Sequence, residues 1–432
     1  MDTLRKKINN KDAVIGIIGL GYVGLPIAVL TAKKGFSTIG FDIQQERTDM
    51  VNNGKNYMGD VRDKELKEVT EKNKLWATTD YSYIQKCDVI CIAVPTPLDQ
   101  FKQPNTIYVE NSTKDIGKYI TKNTLVILES TTYPGTTEEI ILPILEKESG
   151  LKIGNDIFLS YSPERIDPGN KKYNTQNTPK VIGGVTKTCT EITKLFYKNI
   201  LEAGVFEVGS PSVAEMEKIF ENTFRNINIG LVNEMAILCN KMGIDIWEVI
   251  EAASTKPYGF MPFYPGPGIG GHCIPIDPFY LTWKAREYDY HTRLIELSGE
   301  INNYMPEYVM ERTMKILNKN KIALNDANVL LLGVSYKKDI DDLRESPALK
   351  IIDNLKKHGA NIYYNDPFVD EFKHRGDYYK SSNLNDLSKY DIVIITTDHS
   401  DYNYKNIVKK AELIFDTRNA TEGIKDDKIE KL

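Results

Sequence analysis

Cysteine is scarce in this sequence: five occur in 432 residues, at positions 87, 91, 189, 239 and 273, an odd number without the spacing of zinc ligands. That excludes a disulfide-stapled scaffold, implies no metal site and predicts a reducing, cytoplasmic compartment. Charge of one sign is also missing. The 55 basic and 60 acidic residues are spread along the chain and leave a formal charge of -5, so no basic tract offers a nucleic-acid surface. Neither a repeat of solenoid period nor a low-complexity stretch occurs, which excludes repeat arrays and disordered tracts. Long hydrophobic runs reduce to one, the charge-free residues 13–32. Gly16, Gly19, Gly21, Gly24 and Pro26 interrupt it; they would weaken a lipid-facing helix but suit a strand, a tight turn and a helix start, so no membrane span is expected.

What is present is an ordinary globular composition, 41% apolar and 27% charged, in a chain long enough for about three domains with hydrophobic cores. Short apolar runs at residues 14–18, 37–41, 89–94, 125–128 and 157–160 alternate with helical patterns such as 111–120 and 136–148. This predicts a parallel sheet with helices on both faces. From residue 211 the texture changes to long amphipathic helices, at 213–242 and 294–317. Strand-like runs return at 329–332, 361–364, 392–396 and 413–415, with a helix over 346–358. The expected architecture is α/β: two Rossmann-like doubly wound domains, residues 1–210 and 321–432, joined by a helical domain, 211–320.

Gly19, Gly21 and Gly24, with Tyr22 and Val23 between them, form a Gly-x-Gly-x-x-Gly that follows one strand run and opens a helix. Asp42 ends the next strand run, where a carboxylate can accept hydrogen bonds from an adenosine ribose and repel a 2′-phosphate. The spacing predicts NAD rather than NADP. Two further loops, Val94-Pro95-Thr96-Pro97 and Glu129 to Thr136, each follow an apolar strand run, where ligand crevices form in such sheets; read alone, they are equally loop punctuation. Glu164, after another strand run, could be a general base or merely a solvated carboxylate. Lys218 and Asn222 share a helix face at i and i+4, facing a cleft or solvent.

The least regular stretch runs from Pro265 to Pro275 and holds three prolines and four glycines in eleven residues, which excludes a helix or a central strand. Within that shaped loop Cys273 stands four residues before Asp277, an arrangement open to a nucleophile or to a buried structural thiol. His272 has no second ligand at metal-site spacing and is expected to be structural. The other four cysteines lie in strand or helix patterns and are assigned to packing.

Taken in order, the glycine fingerprint, Val94-Pro95-Thr96-Pro97, Ser130-Thr131, Pro163-Glu164, Lys218 with Asn222, Gly270-Gly271-His272-Cys273 with Asp277, and Asp342-Leu343-Arg344-Glu345-Ser346 resemble the UDP-sugar 6-dehydrogenases, over residues 14–419. The resemblance implies a cytoplasmic homodimer that oxidises the C6 alcohol of a UDP-hexose to the uronate with two NAD. It places catalysis on Cys273, Lys218, Asn222, Asp277, Glu164 and Thr131, and cofactor contacts also on Arg47, Thr96 and Thr131. Substrate contacts fall on Glu164, Arg165, Lys218, Asn222, Tyr264, Gly270, Tyr336, Lys337 and Arg418. Residues 257–268 look most like the UDP-N-acetylglucosamine branch, and no arginine lies between Arg225 and Arg286, where UDP-glucose enzymes typically carry one. The mannosamine and galactosamine epimers remain open alternatives. So do a two-electron dehydrogenase of the hydroxy-acid type and a non-catalytic NAD-binding regulator, since fold alone does not prove chemistry.

Overall fold

The computed structural model describes residues 2–58, 61–99, 103–166, 170 and 172–432. The chain divides into two compact units, Met1–Glu221 with Trp283–Tyr290, and Asn222–Thr282 with His291–Leu432.

The first unit is built on eight strands: β1 (Val14–Ile18), β2 (Ser37–Phe41), β3 (Leu75–Thr78), β4 (Val89–Ile92), β5 (Leu125–Leu128), β6 (Phe158–Tyr161), β7 (Lys180–Gly184) and β8 (Val205–Glu207). Their order is β3-β2-β1-β4-β5-β6-β7-β8. The central strands β1, β4 and β5 are apolar because both faces are covered. In β4, Val89 and Cys91 join one core while Ile90 and Ile92 join the other, and β5 divides in the same way. The order reverses between β1 and β4, the switch point at which such sheets bind ligands.

Two local expectations are corrected. The sheet is not wholly parallel, because β7 runs antiparallel to β6, and β8 follows β7. The pattern at 136–148 is not one regular helix either: a π turn, Thr137–Ile141, precedes the α-helix Leu142–Ser149. Pro143 lacks the N–H that an α-helical bond back to residue 139 requires, and the wider turn accommodates the loss.

The second unit carries β9 (Asn328–Leu332), β10 (Asn361–Asn365), β11 (Glu371–His374), β12 (Asp377–Lys380), β13 (Ile392–Ile395), β14 (Ile414–Asp416) and β15 (Ile429–Lys431). Five of them form a parallel sheet, β10-β9-β13-β14-β15, with its switch point between β9 and β13; β11 and β12 form a separate hairpin. Val329 and Leu331 face one core, Leu330 and Leu332 the other. Two long helices, Pro211–Met242 and Arg293–Lys319, supply the helical middle. Buried amides join them in this unit: Asn233 Nδ2 donates to Asn302 Oδ1 at 2.9 Å, and Asn302 Nδ2 to the Asn226 carbonyl at 3.0 Å. The α/β architecture expected from the sequence is the one observed, and among the described residues no helix is long and apolar enough to cross a membrane.

Candidate active site

The glycine fingerprint lies between β1 and the helix Gly24–Lys33. Gly19 takes φ +89°, and a Cβ there would stand 2.7 Å from the Ala93 carbonyl oxygen; one on Gly24 would stand 1.8 Å from that of Gly19. Both glycines are required by close backbone packing. Gly21 differs, since a Cβ there would meet nothing within 4 Å. Its bare backbone borders open space before a helix N-terminus, which fits the pyrophosphate of a dinucleotide.

Asp42 is buried at the end of β2, where Oδ2 accepts from Leu20 N and Oδ1 from Gln44 N, both at 3.0 Å. Two backbone donors thus fix its carboxylate while Oδ1 keeps a further lone pair for a ribose hydroxyl. Arg47 Nη1 lies 3.5 Å from Asp42 Oδ2. Tyr22 is exposed beside the turn, and Val23 is half-buried. The loops after β4 and β5 are tied together, Thr96 Oγ1 donating to the Thr131 carbonyl at 2.6 Å and Ser130 Oγ to that of Val94 at 2.7 Å. Glu215 secures the same region. Buried beneath the π turn, it accepts from Gly135 N, Thr137 N and Thr137 Oγ1 at 2.6 to 2.9 Å, and burial pushes its carboxyl up to about 7.

Glu164 follows β6 and is no solvated loop carboxylate, its side chain being only 11% exposed. Oε1 accepts from Arg165 N at 2.8 Å and Ile166 N at 3.0 Å, a local turn that folds the carboxylate back on its own chain. Lys218 Nζ donates to the Glu164 backbone carbonyl at 2.6 Å, so the helix lysine and the loop glutamate are neighbours. Arg165 is committed to acids: its guanidinium pairs with Glu221, lies 3.4 Å from Glu217 and also donates to the Pro179 carbonyl. Glu217 is pushed up to about 7 by burial and by Glu221 beside it.

In the second unit Cys273 is the exposed cysteine, while Cys87, Cys91, Cys189 and Cys239 are buried. The chain turns after Cys273 into the helix Asp277–Ala285, with Asp277 N donating to the Cys273 carbonyl at 2.8 Å. Asn222 and Asp277 are both buried and joined, Nδ2 to Oδ2 at 2.5 Å. The glycine loop fits against residues that follow the second sheet's strands. A Cβ on Gly266 would lie 2.7 Å from an Arg418 guanidinium nitrogen, one on Gly270 2.5 Å from Tyr336 Cβ, and one on Gly271 2.9 Å from the Tyr336 ring. Gly271 N donates to the Arg344 carbonyl at 3.0 Å. Tyr336 and Lys337 follow β9, and Arg418 follows β14, with Arg418 Nε donating to the Thr396 carbonyl at 2.9 Å. Tyr336, Arg418, Gly270 and the Cys273 loop therefore meet at the carboxyl ends of this sheet's strands. Tyr264 stands apart, exposed and stacked on Trp247 with ring centroids 6.2 Å apart.

Sequence reasoning missed the residues that hold the cysteine loop. Asn226 Nδ2 donates to the Ile274 carbonyl at 3.1 Å, and Asn233 Oδ1 accepts from Gly266 N at 3.0 Å. The signal was present, because Asn222, Asn226 and Asn233 lie at i, i+4 and i+11 on one helix face. It also missed Lys180 and Glu215, whose roles depend on which strands and loops become neighbours.

Comparison with known proteins names this arrangement. The UDP-glucose/GDP-mannose dehydrogenase family matches with its NAD binding domain over residues 13–201, its central domain over 212–304 and its UDP binding domain over 330–423. The chain is 38% identical to UDP-N-acetyl-D-glucosamine 6-dehydrogenase of Pseudomonas aeruginosa, over 96% of this chain and 99% of that one. It is 39% identical to Protein CapL of Staphylococcus aureus, over 94% and 95%. The solved UDP-D-ManNAc dehydrogenase of Pyrococcus horikoshii superposes with TM-score 0.88 at 32% identity, covering 97% of this chain and 98% of that one. With its fingerprint shaped for NAD and full-length kinship to enzymes that oxidise sugar nucleotides, this chain belongs to the UDP-glucose/GDP-mannose dehydrogenase family and is an NAD-dependent UDP-sugar dehydrogenase.

Proposed function

We propose that the chain oxidises the C6 hydroxyl of a UDP-N-acetylhexosamine, with UDP-N-acetylglucosamine preferred, to the uronate by way of a Cys273 thioester. The observation that carries this reading is an exposed cysteine on a loop anchored by Asn226 and Asn233, just ahead of a buried Asn222–Asp277 pair. NAD supplies the hydride acceptor, taken up twice per sugar. Lys218, with Asp277 and an ordered water, stabilises the alkoxide during the first hydride transfer, the C6 hydroxyl proton leaving through that water to the Asp277 carboxylate, and Asn222 donates a hydrogen bond to the developing oxyanion. The Cys273 thiolate adds to the aldehyde carbon, which retains the intermediate between the two oxidations. Once the thiohemiacetal has been oxidised, Glu164 takes a proton from water, positioned with Thr131; that water's oxygen bonds the acyl carbon, the C–S bond breaks, and the thiolate and carboxylate separate.

The sugar assignment is supported by the pattern at residues 257–268, by the absence of arginine between 225 and 286, and by the name of the Pseudomonas relative. Tyr336, Lys337 and Arg418 are assigned to the UDP moiety. A cytoplasmic setting is proposed as well, supported by cysteines that are few and mostly buried, which suits a reducing compartment. A homodimer is proposed from the exposed apolar row Phe220, Phe224, Leu231, Met235, Leu238 and Met242 along the long helix. Its mass in solution tests this.

The central experiment incubates the purified protein with NAD and, separately, UDP-N-acetylglucosamine, its two epimers and UDP-glucose. Two NADH per sugar are expected, with the highest kcat/KM for UDP-N-acetylglucosamine. One NADH per sugar removes the four-electron reading, and a better UDP-glucose substrate removes the N-acetyl assignment. Glu164→Gln should turn over at least about 100-fold more slowly and accumulate mass on the Cys273 peptide.

A further inference from the structure

Glu164 must be ionised and held in one orientation to take a proton from water. The strand that breaks the parallel order brings a cation to it. Because β7 runs antiparallel to β6, with Tyr161 opposite Gly183, its first residue returns to the carboxyl ends of β5 and β6; continuing that register puts Lys180 opposite Glu164. Lys180 is 3% exposed there. A buried ammonium persists in a fold only among anions, and among the described residues Lys180 has two. It pairs with Glu129, the residue after β5, and its Nζ lies 3.4 Å from Glu164 Oε2. Glu129 is wholly buried, and Tyr197 OH donates to its Oε1 at 2.7 Å. Glu164 Oε2 is buried with no hydrogen bond of its own, while Oε1 is held by two backbone N–H groups. One oxygen of the carboxylate is therefore fixed by backbone, and the other faces the ammonium.

We propose that Lys180 is the positioning residue of the hydrolytic base, keeping Glu164 ionised and oriented, with Glu129 and Tyr197 anchoring the ammonium from behind. The proposal rests on the reading of Glu164 as the base of thioester hydrolysis. The surrounding charges agree with it. Burial pushes the Lys180 ammonium down, but Glu129 and Glu164 outweigh that and leave it raised; burial pushes Glu129 up, opposed by Lys180 and reinforced by Glu164. The buried Cys91 thiol, also beside Glu129, is pushed well up by burial and by that carboxylate, so it stays protonated and adds no charge. Among the described residues, Lys218 on the Glu164 carbonyl and Arg165, paired with Glu217 and Glu221, are further charged neighbours.

An electrostatic role makes opposite predictions for the two partners of Lys180. Decay of the Cys273 adduct is followed by quench and intact-protein mass spectrometry between pH 5.5 and 9, after mixing with NAD and UDP-N-acetylglucosamine. Lys180→Met should move the acidic limb of that step up by about one pH unit or more, because Glu164 loses its nearest cation. Glu129→Gln should move it down, because the ammonium then serves Glu164 alone. Lys180→Arg should return the limb to within about half a unit of the parent, since the charge remains. An unmoved limb in Lys180→Met, or shifts of one sign in both partners, overturns the proposal. Where Lys180→Met does not fold, Glu129→Gln decides: a limb that stays or rises overturns it. Failure of the underlying reading is separate, because Glu164→Gln would then clear its adduct at the parent rate whatever residue 180 is.

Discussion

The cluster around Glu164 and the loop around Cys273 are held by different physics. In the first unit the fastening groups carry charge: Lys180, Glu129 and Glu164, with Lys218 on the Glu164 carbonyl. In the second they are neutral amides and bare glycines: Asn226 on Ile274, Asn233 on Gly266, and Gly270 and Gly271 against Tyr336. On the proposed mechanism, in which Glu164 is the base and Cys273 the nucleophile, the difference follows from task. A base that must ionise and recover needs a fixed cation nearby, whereas a nucleophile delivered on a loop needs shape that does not vary with pH. The first region should therefore respond to proton concentration and the second to side-chain volume.

The largest test of that contrast is Lys180→Met, which leaves two carboxylates buried without their ammonium. Removing one partner of such a pair costs about 3–5 kcal/mol, read as a lower urea midpoint. The sign with pH follows from Glu129, whose carboxyl burial already pushes up. The folded variant binds a proton more tightly than the unfolded chain, so its deficit should be greatest at alkaline pH and shrink as pH falls. A deficit independent of pH would erase the distinction between the two regions.

Asn233→Ala comes next. It removes the acceptor of Gly266 N and the donor to Asn302 Oδ1, both buried, at about 1–3 kcal/mol. No titrating group is involved, so the loss should be the same at pH 6 and pH 9. A strongly pH-dependent loss would show that the asparagine face is coupled to charge after all.

Gly270→Ala is the smallest. Its new methyl would lie 2.5 Å from Tyr336 Cβ and 3.0 Å from the Glu345 carbonyl, so the loop or the tyrosine must shift. Overpacking of this kind costs about 1–3 kcal/mol, expected here as a rise of about tenfold in KM for the UDP-sugar with little change in KM for NAD. Equal changes in both would sink the assignment of Tyr336 to the sugar nucleotide.

Much of the fold was legible because burial on both faces leaves the central strands largely apolar. The runs at 14–18, 37–41 and 125–128 match β1, β2 and β5 residue for residue. Less legible were β7 and β8, which lie beyond the last parallel strand; nothing in Lys180-Val181-Ile182-Gly183-Gly184 records direction. The helix pattern at 136–148 hid its π turn, since the pattern reports apolar spacing and not which N–H group proline has removed.

The sequence by itself determined the α/β class and the fingerprint for NAD, because both rest on spacing between near neighbours in the chain, and its resemblance to the UDP-sugar 6-dehydrogenases marked Cys273, Lys218, Asn222, Asp277 and Glu164 as candidates. Only the tertiary structure decided that Glu164 is enclosed, that Arg165 is paired with Glu221, and that Glu129 and Lys180, 51 residues apart, form a buried ion pair. The physical reason is that a charge is tuned by whatever lies within a few ångströms of it. Which residues come that close was decided by the reversed direction of one strand.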